Sequence, residues 1–165
     1  MNGAQLHLIL NHLPVLGALF SLLLLSWGLI RRSPEILQVA IVAVLLAGLS
    51  AIPAYLTGES AEHVIEGMPG IEEALIEEHE SMGKFALGSG IVLAIGAALA
   101  LLMGLRNPKS LLIGALALCV LNALVFGVMG YTAHLGGMIR HPEIRGGAAA
   151  PTPNAEKPYR EEEHD

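Results

Sequence analysis

Long apolar runs divide the chain into four segments, and the connections between them alternate between short and long. A helix needs about 20 predominantly apolar residues to cross the hydrocarbon layer of a bilayer, and each run is at least that long. The pattern therefore predicts an all-α integral membrane protein, a four-transmembrane-helix antiparallel bundle. Residues 146–165 lack such a run and are predicted to be a disordered tail after a membrane domain of residues 1–145. The predicted spans are residues 6–30, 36–57, 82–105 and 111–139.

The three connections differ in charge and in length. The first and third are short and basic, RRSPE and RNPKS, and in each a proline (Pro34 and Pro108) marks a predicted helix boundary. The second covers residues 58–81, carries eight glutamates and has no lysine or arginine. We expect this outer loop to form one or two short surface helices that break at the GMPG sequence, residues 67–70.

The basic connections also predict the orientation of the chain. Lysine and arginine concentrate in the cytoplasmic loops of membrane proteins, so the first and third connections should lie in the cytoplasm. Both termini and the glutamate-rich connection then lie on the outer, periplasmic side.

Composition agrees with a membrane location. Hydrophobic residues make up 53% of the chain and charged residues 15%, and the mean hydropathy is +0.60. A soluble domain is about one quarter charged. The single cysteine, Cys119, has no partner for an internal disulfide. No basic patch points to a nucleic acid, so the lipid bilayer is the first expected partner. The first run lacks a basic start and a cleavage site, which predicts a retained helix and not a signal peptide.

Small residues recur at helical spacing within the third span. Such rows let neighbouring helix backbones approach closely in lipid. Asn122, near the middle of the fourth span, is expected to form a hydrogen bond with a neighbouring helix. The two rows are Ala86, Gly90, Ala94 and Ala98, and Gly96, Ala100 and Gly104.

Histidines are the main candidates for chemistry, because six of the seven map to the outer end of the predicted bundle. Their heights above the cytoplasmic boundary follow from a rise of about 1.5 Å per helical residue. Four or five of them, from the first, third and fourth spans, converge near one rim of the hydrocarbon layer. The heights are roughly 28 Å for His12, roughly 36 Å for His7 and His134, roughly 40 Å for His79 and roughly 47 Å for His141.

The residue types favour haem over other metal centres. The sequence has no cysteine set for structural zinc, no HExxH, no pair of Glu-x-x-His motifs for di-iron and no CxxCH for covalent haem. A b-type haem held by two histidines from different helices fits a four-helix bundle. His12 with either His79 or His134 is the preferred axial pair, and five histidines in reach are enough for a second haem. Arg140 and Arg145 stand at the same rim, where they can pair with propionates.

Four stretches, HLILNHLP, AIPAYLTGESAEHV, GIEEALIEEHE and HLGGMIRHPEI, resemble the motifs of a family of bacterial four-helix integral membrane proteins. The family is defined as a domain of unknown function, and cytochrome b-like haem binding is suspected in some members. The resemblance covers roughly residues 7–145 and implies a location in the bacterial inner membrane. The residues that match its motif positions are His7, His12, Thr57, Gly58, His79, Gly136, Gly137 and His141.

Three hypotheses follow for function. The first is an electron-transfer protein with a bis-histidine b-type haem near the periplasmic face, which relays electrons between a quinol pool or membrane partner and a periplasmic redox protein. The second is a non-haem metal protein that uses His79, His134, His141 and glutamates such as Glu80. The third is a non-catalytic accessory subunit of a larger respiratory or photosynthetic complex. The sequence offers no nucleophile with a paired base, so an electron carrier or subunit is favoured over a stand-alone enzyme.

Overall fold

A computed structural model describes residues 2–145 and shows a bundle of four long helical segments. Within this range the chain contains no strand. The predicted disordered tail, residues 146–165, lies outside the described residues. The elements, in chain order, are α1 (Gly3–Leu10), α2 (His12–Arg31), α3 (Pro34–Leu56), α4 (Gly58–Ile65), α5 (Glu73–Arg106), α6 (Pro108–Arg140) and a final 3-10 turn (Pro142–Ile144).

Four helical segments are long and apolar enough to cross a membrane. Only Asn11 separates α1 from α2, and only Thr57 separates α3 from α4, so each of these pairs forms one segment. Large apolar side chains are exposed around the bundle, including Phe20 at 60% and Leu124 at 66%. Such a surface suits a lipid environment, and the predicted all-α multi-pass membrane bundle is confirmed. The segments are Gly3–Arg31, Pro34–Ile65, Glu73–Arg106 and Pro108–Arg140.

The two helix boundaries predicted at proline are confirmed. Pro34 lies in the first turn of α3, and the Ser33 hydroxyl accepts a hydrogen bond at 3.3 Å from a backbone N–H of that turn. Pro108 lies in the first turn of α6, and the Asn107 side chain accepts a comparable bond at 2.9 Å. Proline suits these positions because the first N–H groups of a helix have no partner within the helix.

The glutamate-rich connection is more helical than the predicted loop over residues 58–81. Its first part forms α4, and α5 begins at Glu73 and continues without interruption into the membrane. The predicted break is present, since Gly67 and Gly70 adopt positive φ angles of 74° and 82°. Glutamate is a good helix former and stabilises the first turn of a helix. The glutamates therefore indicate where α5 leaves the lipid, and they do not indicate where the helix ends.

The four spans close into a ring in which α2 packs beside α3, α3 beside α5, α5 beside α6 and α6 beside α2. Small residues bring α5 close to both of its neighbours, as predicted. A Cβ atom added to Gly48 of α3 would lie 2.5 Å from the carbonyl oxygen of Gly90. On the other side, a Cβ atom added to Gly114 of α6 would lie 2.9 Å from the Ala100 Cβ. The two rows of small residues thus serve different interfaces.

Asn122 joins α6 to α2 in the middle of the bundle, as predicted. Its side chain is fully buried, and its Nδ2 donates hydrogen bonds to the Ala18 carbonyl at 3.1 Å and to the Ser21 hydroxyl at 2.9 Å. The role is structural, because a buried amide in lipid needs partners on a neighbouring helix.

At the outer end, α1 and α4 extend the bundle and pack against each other. Their contact is close, since a Cβ atom added to Gly3 would lie 2.5 Å from the Ser60 Cβ. This extension brings α1 next to the end of α3 and toward the outer part of α5, where two histidines meet.

Candidate functional site

The imidazole rings of His7 and His79 lie next to each other, in a T-shaped arrangement, at the outer end of the bundle. Their centroids are 6.4 Å apart, and their planes are almost perpendicular, at 88°. His7 comes from α1 and His79 from the outer part of α5, and both side chains are partly buried. The pair therefore joins two helices, and its two residues are more than seventy positions apart in the sequence.

His7 is held by the end of α3. Its Nδ1 lies 3.0 Å from the Ala54 carbonyl oxygen and 3.1 Å from the Thr57 hydroxyl. The carbonyl is free to accept because the last C=O groups of a helix lack partners within the helix. A carbonyl oxygen only accepts hydrogen bonds, so the proton of the neutral ring resides on Nδ1. The Nε2 atom of His7 consequently carries a lone pair.

His79 is held by α6 in the same way. Its Nδ1 lies 3.0 Å from the Thr132 carbonyl oxygen, so this ring also carries its proton on Nδ1 and a lone pair on Nε2. Gly136 gives the ring its space, because a Cβ atom at that position would lie 3.0 Å from the His79 Cε1. The site thus presents two imidazoles, each oriented at Nδ1 by a backbone carbonyl of another helix.

The other predicted histidines are placed differently. His12 is exposed at the start of α2, and its Nδ1 lies 2.7 Å from the Leu8 carbonyl of the preceding turn. His134 is exposed on α6. Among residues 2–145, the two imidazole rings brought together are His7 and His79, and not His12 with His79 or His134.

His141 follows the end of α6 and bonds locally. Its Nδ1 lies 2.8 Å from a carboxylate oxygen of Glu143. The pKa of the Glu143 carboxyl is lowered, because its own backbone N–H and the His141 ring both donate hydrogen bonds to the carboxylate. His141 is thus an exposed residue with a local partner, Glu143, and it is not part of the pair formed by His7 and His79.

The two arginines predicted for propionates have partners within the protein. Arg145 is clamped between the outer connection and the end of α6: it donates to Glu72 at 2.8 Å and to the carbonyls of Met138 and Ile139 at 2.6 and 2.8 Å. Arg140 is exposed, with one guanidinium nitrogen 3.6 Å from the Met68 sulfur. Arg145 therefore anchors the segment before α5.

Metal ligands other than the histidine pair are scarce near the site. In the part of the chain that the structure describes, no group of three or more His, Cys, Asp or Glu side chains could hold a metal ion. Glu80, which the non-haem hypothesis uses, forms an ion pair with Lys84 at 2.9 Å. Within the described residues, the structure therefore does not bring His79, His134, His141 and Glu80 together as one metal site.

The predicted heights of the histidines agree better with the observed pair than with His12 as a ligand. The heights of His7 and His79, roughly 36 and 40 Å, differ by less than one helical turn, whereas His12 lies roughly a turn and a half below His7. The partners Thr57 and Gly136 also belong to the motif stretches. Height fitted both His7 and His134, each at roughly 36 Å, as partners of His79, and the rotation of α1 about its axis could not be read from the spacing.

Comparison of the chain with protein-family models, with curated proteins and with solved structures finds no match.

Proposed function

We propose that this protein is a membrane-bound electron carrier in which His7 and His79 are the axial ligands of a b-type haem. The main support for the proposal is the pair of adjacent imidazoles, each with Nδ1 hydrogen-bonded to a backbone carbonyl of another helix. This is the usual arrangement of metal-binding histidines, because the bond at Nδ1 fixes the ring and makes Nε2 a better donor.

The separation of the rings supports shared ligation of one metal. An imidazole nitrogen binds a metal ion at about 2 Å, so two rings on opposite sides of one metal hold their centroids about 6 Å apart. The observed distance between the His7 and His79 centroids is 6.4 Å.

The number of donors favours haem over a bare metal ion. A structural zinc ion takes four protein ligands, whereas the porphyrin of haem supplies four nitrogens and needs two axial ligands. His7 and His79 supply two. Gly136 leaves room for the His79 ring itself, and at Gly130, one to two turns earlier on α6, no atom lies within 4 Å of an added Cβ.

Each residue of the site has a role in this carrier. The Ala54 and Thr132 carbonyls orient the rings, the Thr57 hydroxyl adds a second partner for His7, and Gly136 admits the His79 ring. A bound haem would supply one-electron chemistry. Because protein nitrogens fill both axial positions, the centre would favour outer-sphere electron transfer over binding of oxygen or substrate.

The carrier lies in the bacterial inner membrane, with the histidine pair on the periplasmic side. Support comes from the basic connections at the opposite end and from the family resemblance. Its partners are a quinol pool or membrane protein on one side and a periplasmic redox protein on the other.

The test is an absorption spectrum of the full chain, purified after expression with adequate haem supply, in the oxidised and the dithionite-reduced state. We expect a six-coordinate, low-spin b-type spectrum. His7→Ala and His79→Ala should each lose most of the Soret absorbance, because each removes an axial ligand. His12→Ala and His63→Ala, which change exposed histidines, should keep it.

Absence of a Soret band in the wild-type protein would overturn the proposal. So would a folded His7→Ala or His79→Ala variant with an unchanged spectrum, as judged by circular dichroism and gel filtration. Loss of haem in His12→Ala, with retention in His7→Ala, would exclude the observed pair as the axial ligands.

A further inference from the structure

The end of the bundle opposite the histidine pair is basic. It is formed by the α2–α3 turn and the α5–α6 turn, which lie together because the spans alternate in direction. These turns hold four exposed cations against the single carboxylate of Glu35. We call these residues the basic rim, and its cations are Arg31, Arg32, Arg106 and Lys109.

The cations of the basic rim are free to bind an external anion. Among the residues that the structure describes, none of the four has a carboxylate within ion-pair distance. The Glu35 carboxylate accepts a hydrogen bond from the Ser33 hydroxyl at 2.8 Å, and the Arg31 guanidinium lies 5.7 Å from the centre of the Trp27 ring. At the other end of the bundle, by contrast, Lys84 and Arg145 pair with glutamates.

A shallow, open apolar depression on the outer surface of α5, which we call the groove, begins at the basic rim. Its volume is about 360 Å³, and all of its lining residues belong to α5: Leu99, Leu102, Met103, Leu105 and Arg106. Residues 99, 102, 103 and 106 follow the helical spacing of three and four, so the groove extends about 10 Å from Arg106 toward the bilayer centre. The leucine and methionine side chains are exposed, as expected for a surface in contact with acyl chains.

We propose that this groove and the basic rim form a binding site for an anionic phospholipid. The acyl chain lies along α5, and the phosphate binds Arg106, with Lys109 of the same turn as a second cation. Arginine binds phosphate through charge-assisted hydrogen bonds, and basic clusters at the cytoplasmic ends of transmembrane helices recruit anionic lipids. The excess of positive charge disfavours the ammonium group of a zwitterionic lipid. This site is independent of the proposed haem.

The test uses the full chain in zwitterionic phosphatidylcholine nanodiscs, with increasing fractions of phosphatidylglycerol, and native mass spectrometry to count bound lipid. We expect preferential retention of phosphatidylglycerol. Arg106→Gln with Lys109→Gln should weaken this binding by roughly 10- to 30-fold, since each cation near an anionic membrane surface contributes about 1 kcal/mol. Arg140→Gln, which removes an exposed cation at the opposite end, should leave it unchanged.

Equal retention of the two lipids by the wild-type protein would overturn the proposal, as would unchanged binding in the Arg106 and Lys109 double variant. An equal loss in Arg140→Gln would show a general charge effect and no site. Glycerophosphoglycerol, which has the headgroup without acyl chains, should not displace the lipid. Displacement at equal concentration would exclude a role for the groove.

Discussion

At the scale of single residues, the position of the His79 ring depends on the absence of a side chain at position 136. A Cβ atom there would lie 3.0 Å from Cε1 of the ring, which is closer than almost all real Cβ contacts. Gly136→Ala should therefore move the ring away from the Thr132 carbonyl. Loss of a hydrogen bond that orients a metal-binding histidine costs about 10- to 100-fold in metal affinity, and we expect a decrease of this size in the affinity for the proposed haem.

The matched control is the next residue along α6. A Cβ atom added to Gly137 would meet the Ile144 side chain at an ordinary 3.6 Å, so Gly137→Ala should bind haem like the wild type. Haem titration followed at the Soret band measures both variants. Equal affinities for the two would contradict the assigned role of Gly136.

The candidate site could be predicted from the sequence only in part. The concentration of histidines at one rim follows from helix rise and hydropathy, and both His7 and His79 are among the predicted ligands. Their pairing with each other was not predicted, because α1 is a separate helix of eight residues that ends before Asn11. The direction of His7 depends on how α1 packs against α4, and spacing within one helix carries no information about that contact.

At the scale of helices, α3 and α5 cross with their backbones in close contact. Its geometry predicts that Gly48→Ala destabilises the bundle, because the new Cβ atom would lie 2.5 Å from the Gly90 carbonyl, a backbone atom that cannot rotate away. Overpacking of this kind costs roughly 1–3 kcal/mol. Unfolding in mixed micelles with increasing dodecyl sulfate measures the change.

Gly88→Ala provides the comparison within α5. No atom lies within 4 Å of an added Cβ at Gly88, and alanine is a better helix former by up to about 1 kcal/mol. We expect this variant to be as stable as the wild type or more so. Similar destabilisation of both variants would mean that helix propensity, and not the crossing, determines the result.

Most elements were predictable because lipid imposes strong constraints on sequence. The apolar runs gave the number of spans, and the pairs Ser33–Pro34 and Asn107–Pro108 gave two helix starts. The small-residue rows and Asn122 indicated interfaces. The outer part of α5, about two and a half turns from Glu73, was expected to be a separate surface helix and not a continuation of the third span. Hydropathy detects only the thickness of the lipid, whereas Glu73 and its neighbours form a good helix in water.

At the scale of the whole molecule, four spans put residues 2 and 145 at the same end of the bundle. The positive-inside rule predicts that this end is periplasmic. Alkaline phosphatase fused after the last residue should therefore be active in bacterial cells. A fluorescent protein fused at the same position should be dark, because it would be exported to the periplasm in an unfolded form. The reverse pattern would show that the basic rim faces the periplasm.

Neutralising the basic rim tests the cause of the orientation. Substitution of glutamine for all four of its cations leaves Lys84, Arg140 and Arg145 at the opposite end as the cations near the ends of the spans, so the rule favours the reverse orientation and the fusions should report a shift toward it. Unchanged reporter activities would mean that the glutamate-rich connection or the tail determines the insertion.

The length of α5 bears on how the protein would interact with the membrane potential. Its 34 residues extend about 50 Å, whereas the hydrocarbon layer is about 30 Å thick. His79 lies 27 residues from Arg106, or about 40 Å, which is beyond the far edge of that layer. Moving a charge through the full layer costs about 2.3 kcal/mol per 100 mV. In the proposed carrier, an electron that enters and leaves at His79 would not make that journey, so its transfer should neither generate nor respond to the transmembrane voltage.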